Sequence, residues 1–489
     1  MTLADRLSRG LKATFGADLV DKLANAALIV VLTRVLLSPE EYGQLNFVLS
    51  ALGVLTVVAT LGLPKSAARY VTEFVETKPG YVPHVITLSA TYLAVLVLGV
   101  AVATVVFGDS IARLLGTPAL TAFVGIGSAY IVTRSATSYC SALFQGFNRV
   151  TWSAALSTLT GVGRLVFVTA FVALGFGVAG ALVGYLAASL VAAAFGLVVL
   201  YRRFYTSFDP ADARPDDLRR RLLEYSIPLT ATRSANVLNN KIDTLLVGIL
   251  LNMTAVGYYT IAKQISDFAA TPAAAVGYTV SPAIGEQQSG ENAERASRLY
   301  ERSLESVLVL YLPAAAGLFL VANPLVTHVF GTDYQSAVPV VQVFSLFLLV
   351  SAVNNVTSDG LDFLGRARSR AIIKTAMAAT NAGLNVLLLP IFGVVGAAVA
   401  TVLTFGVYTA ANVYFIHQEL SLDLRALARI AGVVTVVTIG MAAVVWTARS
   451  AISGVLTLTG VILLGVTVWF ALATLSGILN PREVIQFLT

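Results

Sequence analysis

A succession of long apolar segments is the feature that most constrains this chain. Segments of about 20 apolar residues, enough to cross a hydrocarbon core of about 30 Å as helices, follow one another through most of its 489 residues. Only 12% of the residues are charged, which is too few to cover the surface of a soluble protein of this length. We therefore predict an all-α polytopic membrane protein. The expected spans, about fourteen in number, are 18–37, 42–62, 84–107, 119–144, 151–173, 178–200, 223–250, 254–281, 302–322, 336–357, 371–389, 394–416, 427–447 and 453–475.

Basic residues alternate between the loops in a way that predicts orientation. One set of loops is rich in arginine, with the run Arg219–Arg221 as its densest part, whereas the opposite set keeps only Arg34, Arg113 and Arg449. Under the positive-inside rule, the basic loops are cytoplasmic. Both termini are then expected in the cytoplasm, with the chain in the cell membrane. The net charge of +6 orients the protein on this interpretation, so we expect no nucleic-acid partner.

The chain also repeats itself weakly. A shift of 215 positions places Asn25 on Asn240 and Gly62 on Gly277, and a shift of 216 superposes Gly177–Ala181 on 393–397. Each repeat would hold six spans and keep the same sidedness. Two six-helix bundles around a central cavity, followed by two extra helices, are a transporter architecture. The expected division is an N-terminal lobe at 1–200, a cytoplasmic linker at 201–222, a C-terminal lobe at 223–416 and spans 13 and 14 at 417–489.

Several charged residues fall inside the predicted spans. An ionised side chain near the bilayer centre costs about 2.5–3.5 kcal/mol on insertion scales, so each must face water, a partner charge or the interface. The basic ones are Lys22, Arg134, Arg164, Arg233, Lys241, Lys263 and Lys374, and acidic ones include Asp18, Asp21, Asp243, Asp267 and Asp359.

Helical spacing places many of these groups on polar faces. Asp18 and Lys22 share a face of the first span at a spacing that favours an ion pair. Arg233, Asn240, Lys241 and Asp243 share half of the seventh span, and Lys263 and Asp267 share a face of the eighth. We predict that these faces border an aqueous interior with an excess of positive charge, which favours an anion. Arginine suits phosphate because its fork binds two oxygens.

The predicted site follows from these faces. Substrate-binding candidates are Arg164, Arg233, Lys241, Lys263, Lys22, Arg134 and Asn240, and candidates for ion coupling are Asp243, Asp267 and Asp21. Two alternatives stay open: Lys22 reaching the cytoplasmic interface, and Lys241–Asp243 and Lys263–Asp267 as structural ion pairs.

Motifs for catalysis, metals or cofactors are missing from the sequence. Cys140 is the single cysteine, and the three histidines lack nearby ligands at metal-binding spacing. Gly175–Gly180 fits GxGxxG, but membrane spans flank it and no acid follows about 20 residues later. We interpret it as a tight turn between closely packed helices. The sequence predicts no enzyme activity, no metal and no cofactor.

Four stretches resemble a known superfamily of transporters. These are "RVLLSPEEYGQLNFVLSALGVLTVVATLGLPKSAARYV" (34–71), "LFQGFNRV" (143–150), "YSIPLTATRSANVLNNKIDTLLVGILLNMTAVGYYTIAKQ" (225–264) and "GVVGAAVATVLTFGVY" (393–408). They are similar to the polysaccharide-exporter branch of the multidrug/oligosaccharidyl-lipid/polysaccharide exporter superfamily.

The resemblance implies a flippase. Such a protein carries a polyprenyl-linked oligosaccharide from the inner to the outer leaflet by alternating access, in polysaccharide assembly or glycoprotein glycosylation. Its partners would be this substrate, joined through phosphate or diphosphate, and membrane lipid, and the chain is expected to be monomeric. By location alone, Arg164, Arg233, Lys241 and Lys263 fit a cation-lined cavity.

Other functions stay open at this point. A multidrug extruder of the same superfamily would depend on acids such as Asp243 and Asp267, although the extra C-terminal spans and the basic interior argue against it. A flippase of the peptidoglycan lipid precursor is closely related to the first interpretation. A membrane-embedded glycosyltransferase or ligase would need an acidic catalytic motif or a soluble domain, and the sequence shows neither.

Overall fold

The computed structural model describes residues 3–114, 117–213, 215–285, 292–364 and 366–479. Over these ranges the chain folds into helices joined by turns and short loops and forms no strand. It divides into two compact units, Met1–Ile249 and Leu250–Thr489. The fold is therefore all-α, as predicted, and each unit has its own set of packed helices.

The first unit contains eight α-helices. Helix α1 packs along α6, and α5 and α6 both pack against α7. The bounds are α1 Leu3–Val31, α2 Pro39–Thr60, α3 Leu63–Thr77, α4 Val82–Leu114, α5 Val124–Gly146, α6 Val150–Phe171, α7 Gly177–Arg203 and α8 Leu218–Leu250.

The second unit contains the remaining seven α-helices of the described residues. One of its cores lies between α9, α10, α11, α13 and α14, and the Tyr300 and Thr357 hydroxyls meet there at 3.0 Å. The two last helices pack on each other and on α10. The bounds are α9 Met253–Gly285, α10 Asn292–Leu325, α11 Val338–Phe363, α12 Ala367–Phe392, α13 Val394–Leu420, α14 Leu424–Ala448 and α15 Val455–Leu475.

Each predicted span falls on one of these helices, and α3 is the addition. Within the described ranges, nine helical stretches are long and apolar enough to cross a membrane. They contain α2, α4, α6, α7 and every helix from α10 to α15. The long helices outside this set, α1, α5, α8 and α9, carry most of the predicted intramembrane charges, whereas Arg164, Asp359 and Lys374 lie on α6, α11 and α12. Polar residues lower their hydropathy, as expected for helices with one face toward water.

The outer surface of α4 shows the opposite character. Large apolar side chains recur at helical spacing and are more than half exposed, among them Val95, Leu98, Val102 and Val105. A soluble protein would bury such a face. Lipid is its natural solvent, and the protein is accordingly a multi-pass membrane protein.

Helix α3 is amphipathic and was expected to be a loop. Its apolar face, which includes Leu63, Tyr70 and Phe74, is buried, whereas Lys65 on its other side is exposed. Gly62 starts the helix at a φ of +68°. A Cβ there would lie 2.8 Å from the Ser226 carbonyl oxygen of α8, so glycine allows both the turn and the close approach.

Polar contacts fix α3 between α5 and α8. The Ser66 hydroxyl donates to the Leu222 carbonyl at 2.9 Å, and the Thr72 hydroxyl donates to the Gly146 carbonyl at 2.8 Å. Arg221 forms an ion pair with Glu73 at 2.6 Å. This hydrogen bond raises the pKa of the Arg221 guanidinium. The helix is thereby a fixed part of the first unit.

Two glycine turns have nearly the same backbone conformation. Gly177, the first residue of α7, has φ 50° and ψ −136°, and Gly393, the residue before α13, has φ 58° and ψ −144°. Three residues later, a Cβ on Gly180 would lie 2.9 Å from the Phe171 carbonyl oxygen, and one on Gly396 would clash with the Leu388 carbonyl oxygen. The GxGxxG stretch is therefore a tight turn between close helices, and its geometry recurs 216 positions later. The lobe boundaries expected from the repeat stay a prediction.

Candidate functional site

A polar cavity of about 550 Å³ lies within the first unit. Helices α1, α3, α5, α6 and α8 contribute to it. A volume of this size falls in the usual range of ligand pockets, about 300–1,000 Å³. Its lining consists of Asp21, Gly62, Pro64, Lys65, Arg134, Thr137, Ser138, Ser141, Ala142, Gln145, Leu156, Ser157, Thr160, Arg164 and Leu229.

Two helices supply most of this lining, each through a single face. Cavity residues of α5 recur at positions 134, 137, 138, 141, 142 and 145, which is the spacing of one side of a helix. Those of α6 lie at 156, 157, 160 and 164. All but Ala142 and Leu156 carry polar or charged side chains. The opposite side of α5 is apolar and buried, as at Cys140 and Leu143. Both helices are thus amphipathic toward the cavity.

An ion pair joins α1 to α6 at the cavity wall. The Nη2 atom of Arg164 donates to Oδ1 of Asp21 at 2.6 Å. Gly161, one turn before Arg164, lies against Asp21, because a Cβ at this position would clash with the Asp21 carboxylate and lie 3.0 Å from its Cα. Glycine therefore lets α1 approach α6 closely enough for the pair to form.

The Asp21 carboxylate engages only part of the Arg164 guanidinium. The Nε atom of Arg164 is buried and makes no hydrogen bond with any part of the chain that the structure describes. A guanidinium can bind two oxygens side by side through such a fork. Arg164 therefore keeps donor capacity beyond the one that Asp21 uses.

The cavity carries a net positive charge. Lys65, Arg134 and Arg164 are cationic, and Asp21 is the single carboxylate among the lining residues. Neither Lys65 nor Arg134 has a carboxylate within ion-pair distance among the described residues. Two of the three cations are thus left to attract an anion from outside the chain.

Arg134 and Arg164 lie at similar heights along the cavity. Helices α5 and α6 are joined by a three-residue turn, 147–149, so they run antiparallel. At 1.5 Å per residue, Arg134 lies roughly 18 Å before the end of α5 and Arg164 roughly 21 Å after the start of α6. We call this level the arginine layer.

Uncharged polar groups lie nearer to the turn. The Ser141 and Ser153 hydroxyls meet at 2.6 Å, and the Gln145 amide donates to the Ser153 hydroxyl at 3.2 Å. Between this cluster and the arginine layer lie Ser138 of α5 and Ser157 of α6. Along α5 and α6, the lining therefore changes from cations to hydroxyl and amide groups toward the turn.

The structure brings together three of the predicted site residues: Arg164, Arg134 and Asp21. Lys22 follows Asp21 on α1 but is exposed and does not line the cavity. No salt bridge joins it to Asp18, although both residues are described. Asp21 pairs with Arg164 of α6 instead.

The other predicted site residues lie on α8 and α9. Asp243 is buried, Lys241 is half-buried and Asn240 is exposed on α8. Arg233 lies on the same helix, and its side chain is outside the described set. Lys263 and Asp267 lie on α9 of the second unit. The binding and coupling roles of all these residues stay predictions.

Sequence reasoning missed Lys65 and the polar face of α5. Lys65 was counted with the loop cations because α3 was expected to be a loop. On α5, positions 138, 141 and 145 share a face with Arg134, so helical spacing of small hydroxyl residues was the signal that could have found them.

A helical membrane chain with repeated turn geometry and a polar, cationic cavity among its helices is built as a transporter. The profile of the polysaccharide biosynthesis protein family matches residues 7–288, more than half of the chain. This chain belongs to that family. The MatE family profile also matches residues 228–391, in agreement with the predicted superfamily.

Curated relatives carry flippase names. The chain is 23% identical over 390 residues to the probable low-salt glycan biosynthesis flippase Agl15 of Haloferax volcanii, covering 80% of this chain and 79% of the relative. It is 28% identical over 272 residues to the probable flippase AglR of the same organism, covering 53% of this chain and 54% of that one.

Solved structures establish the fold. The lipid II flippase MurJ in its inward closed conformation has a TM-score of 0.76 at 15% identity, covering 97% of this chain and 99% of that chain. An inward-facing MATE family multidrug transporter has a TM-score of 0.65 at 18% identity, covering 84% and 96%. The predicted superfamily fold is thus confirmed.

Proposed function

We propose that this protein is a flippase that moves a polyprenyl-(di)phosphate-linked oligosaccharide from the inner to the outer leaflet. It acts by alternating access and serves polysaccharide or glycoprotein biosynthesis. The observation that carries the proposal is the net-cationic cavity of the first unit, where Arg134 and Lys65 lack carboxylate partners among the described residues.

The physical reason lies in the charge of the substrate. A phosphate cannot enter hydrocarbon without compensation, because an isolated ion loses tens of kcal/mol of hydration in an apolar medium. Cations in a polar cavity offset this cost, and the polyprenyl tail stays in the bilayer. The cavity volume of about 550 Å³ leaves room for sugar next to the phosphate.

The names of the relatives support this assignment. Agl15 is a probable glycan biosynthesis flippase and AglR a probable flippase, and a lipid-linked glycan is the substrate class that such names indicate. Transport, with no chemical change to the substrate, accounts for the cavity residues described above.

We also propose the orientation and division expected from the sequence. Both termini face the cytoplasm of the cell membrane, residues 1–200 and 223–416 form the lobes, and 417–489 adds two spans. The basic first turn of α8, with Arg219 and Arg220, supports this orientation through the positive-inside rule.

The central test removes the counter-charge for phosphate. Arg134→Ala and Arg164→Ala in the full chain should each abolish or strongly reduce glycan export in a deletion strain, because the phosphate loses one of its cations. Lipid-linked oligosaccharide should accumulate on the inner leaflet. Lipid extraction measures the amount of this intermediate, and glycan labelling of intact cells measures how much glycan reaches the outer surface.

Arg220→Ala is the matched control. This side chain is 76% exposed and pairs with Glu224 one turn away, so its removal should leave export unchanged. Normal surface glycan in the Arg134 and Arg164 variants, with protein levels equal to wild type, would contradict the assignment of the cavity.

A cation-coupled multidrug extruder is the second candidate. The position of Asp21 in the cavity favours the extruder. If the Asp21 carboxylate exchanged its arginine partner for a bound cation, transport could be coupled to that ion. A deletion strain distinguishes the two: altered drug sensitivity with normal surface sugars indicates the extruder, and the reverse indicates the flippase. Accumulation of peptidoglycan precursor would instead indicate a flippase for that lipid.

A further inference from the structure

We propose that Ser138 and Ser157 form a subsite for the first sugar of the substrate, next to the phosphate held in the arginine layer. This inference rests on the proposed function and extends it from the charge of the headgroup to recognition of its glycan. The two serines would thereby determine which lipid-linked sugar the cavity accepts.

The first argument concerns the hydrogen bonds that the cavity hydroxyls already make. The Thr137 hydroxyl donates to the Thr133 carbonyl at 2.9 Å, and the Thr160 hydroxyl donates to the Leu156 carbonyl at 2.7 Å. Hydroxyl groups in helices commonly bond in this way to the preceding turn. These two threonines are satisfied by their own helices.

Ser138 and Ser157 differ from these threonines. Both line the cavity and both are half-buried, yet neither side chain makes a hydrogen bond with a residue in the described ranges. Each hydroxyl can donate one hydrogen bond and accept two. The pair therefore presents unused donors and acceptors, which match the hydroxyl groups of a sugar.

The second argument concerns height within the cavity. Ser138 lies roughly 12 Å before the end of α5 and Ser157 roughly 11 Å after the start of α6, so the two face the cavity at one level on opposite helices. That level is roughly 6–10 Å from the arginine layer. Such a separation suits a sugar linked directly to a phosphate at Arg134 and Arg164.

The third argument concerns charge. The level of Ser138 and Ser157 contributes hydroxyl groups, and the next level toward the turn contributes Ser141 and Gln145. Neutral groups of this kind bind neutral sugar hydroxyls without adding to the attraction for phosphate. Along α5 and α6, the order from cations to hydroxyls thus follows the order of groups in a lipid-linked glycan.

The experiment compares two probes on purified full-length protein in detergent. One is dolichyl phosphate, and the other is a panel of dolichyl phosphates bearing glucose, galactose or mannose. We expect wild type to bind at least one sugar-bearing probe about 30-fold more tightly than dolichyl phosphate, as two hydrogen bonds to the sugar would provide. The double variant Ser138→Ala/Ser157→Ala should reduce this preference to within about threefold.

Two further variants make the outcome decisive. Arg134→Gln should weaken the binding of both probes by the same factor, because Arg134 contacts the phosphate that they share. The preference for the sugar-bearing probe should stay intact. Ser128→Ala on the same helix should change neither, because its hydroxyl bonds to the Val124 carbonyl at 2.9 Å and does not line the cavity. Retained binding of dolichyl phosphate by the double variant shows that it is folded.

The results separate failure of the subsite from failure of the proposed function. A double variant that keeps the sugar preference, or a wild type without any preference, overturns the subsite while the Arg134 effect upholds phosphate binding. If both probes bind equally well to wild type and Arg134→Gln, the proposed function fails as well.

Discussion

At the scale of single residues, the ion pair between Asp21 and Arg164 limits the hydrogen-bond donors that the cavity offers to an anion. The two side chains are part-buried and meet at 2.6 Å, and Arg164 Nε is left without a partner in the described chain. Asp21 therefore occupies one donor of a group that could bind phosphate through two. A substrate phosphate would compete with this carboxylate for the same guanidinium.

The competition gives a prediction with a definite sign. Asp21→Asn should increase the affinity for dolichyl phosphate, by about tenfold, because the asparagine keeps the size of the side chain but removes one negative charge from the cavity. Equilibrium binding to purified full-length protein measures the change.

Asp18→Asn is the control for this prediction. Asp18 lies one turn earlier on α1, is exposed and does not line the cavity, so its neutralisation should leave the affinity nearly unchanged. An Asp21→Asn variant with equal or weaker binding would show that the carboxylate does not compete with the ligand.

Part of the candidate site could be predicted from residue identity alone. Charges within apolar spans are costly, and this cost singled out Arg134, Arg164 and Asp21, which the structure brings to one cavity. The partner of each charge was not predictable, since pairing depends on which helices touch. Asp18 and Lys22 have ideal spacing on one helix, yet Asp21 pairs across helices because Gly161 lets α1 come close.

At the scale of elements, the helices follow from hydropathy and the turns follow from glycine. Every predicted span coincides with a helix, because length and apolar content decide a membrane span with few alternatives. Helix α3 escaped prediction since its 15 residues are too short and too amphipathic to resemble a span. Its burial depends on α5 and α8, which no local pattern reports.

The two glycine turns should be similarly sensitive to substitution by alanine. Gly177→Ala and Gly393→Ala should each destabilise the protein by about 1–3 kcal/mol, because both residues have positive φ with strongly negative ψ, a region that side chains avoid. Thermal unfolding of the detergent-solubilised protein, unit by unit if two transitions resolve, measures the losses.

Gly406→Ala provides the comparison. Gly406 lies within α13, and a Cβ there would have no atom within 4 Å, so alanine should be neutral or slightly stabilising. A large loss at Gly177 with none at Gly393 would mean that the similar backbone angles do not reflect equivalent turns.

At the scale of the whole molecule, the distribution of side chains follows from two solvents, lipid outside and water in the cavity. Apolar side chains face outward on α4, whereas α1, α5 and α6 turn charged and hydroxyl groups toward the cavity. The sequence predicted the membrane class and the superfamily fold, because these depend on composition and segment length. It did not predict a cavity within the first unit, because the cavity arises from the packing of five separate elements.

The proposed orientation is testable with the single native cysteine. Cys140 is fully buried, so it should not react with a membrane-impermeant maleimide. Labelling of the protein without an added cysteine should therefore be negligible. Ser207→Cys in the linker and Ser450→Cys between α14 and α15 are both at exposed positions. The first should react only in inverted vesicles or lysed cells and the second in intact cells.

The two serine positions control for each other, since the substitution is the same and both sites are accessible to water in the folded chain. Labelling of Ser207→Cys in intact cells would place the linker outside and reverse the proposed topology. Labelling of both variants in intact cells would require an even number of spans between them, whereas the proposed topology has seven.

The Asp21 carboxylate also bears on how the resting protein treats the small anions of the cell. A pore lined only by cations would attract chloride and inorganic phosphate, and every cycle with such cargo would waste the work of moving it. By carrying its own anion on α1, held against Arg164, the chain lowers that attraction while idle. Under the proposed function, a ligand that offers several oxygens, together with a tail anchored in the bilayer, would displace this carboxylate from Arg164.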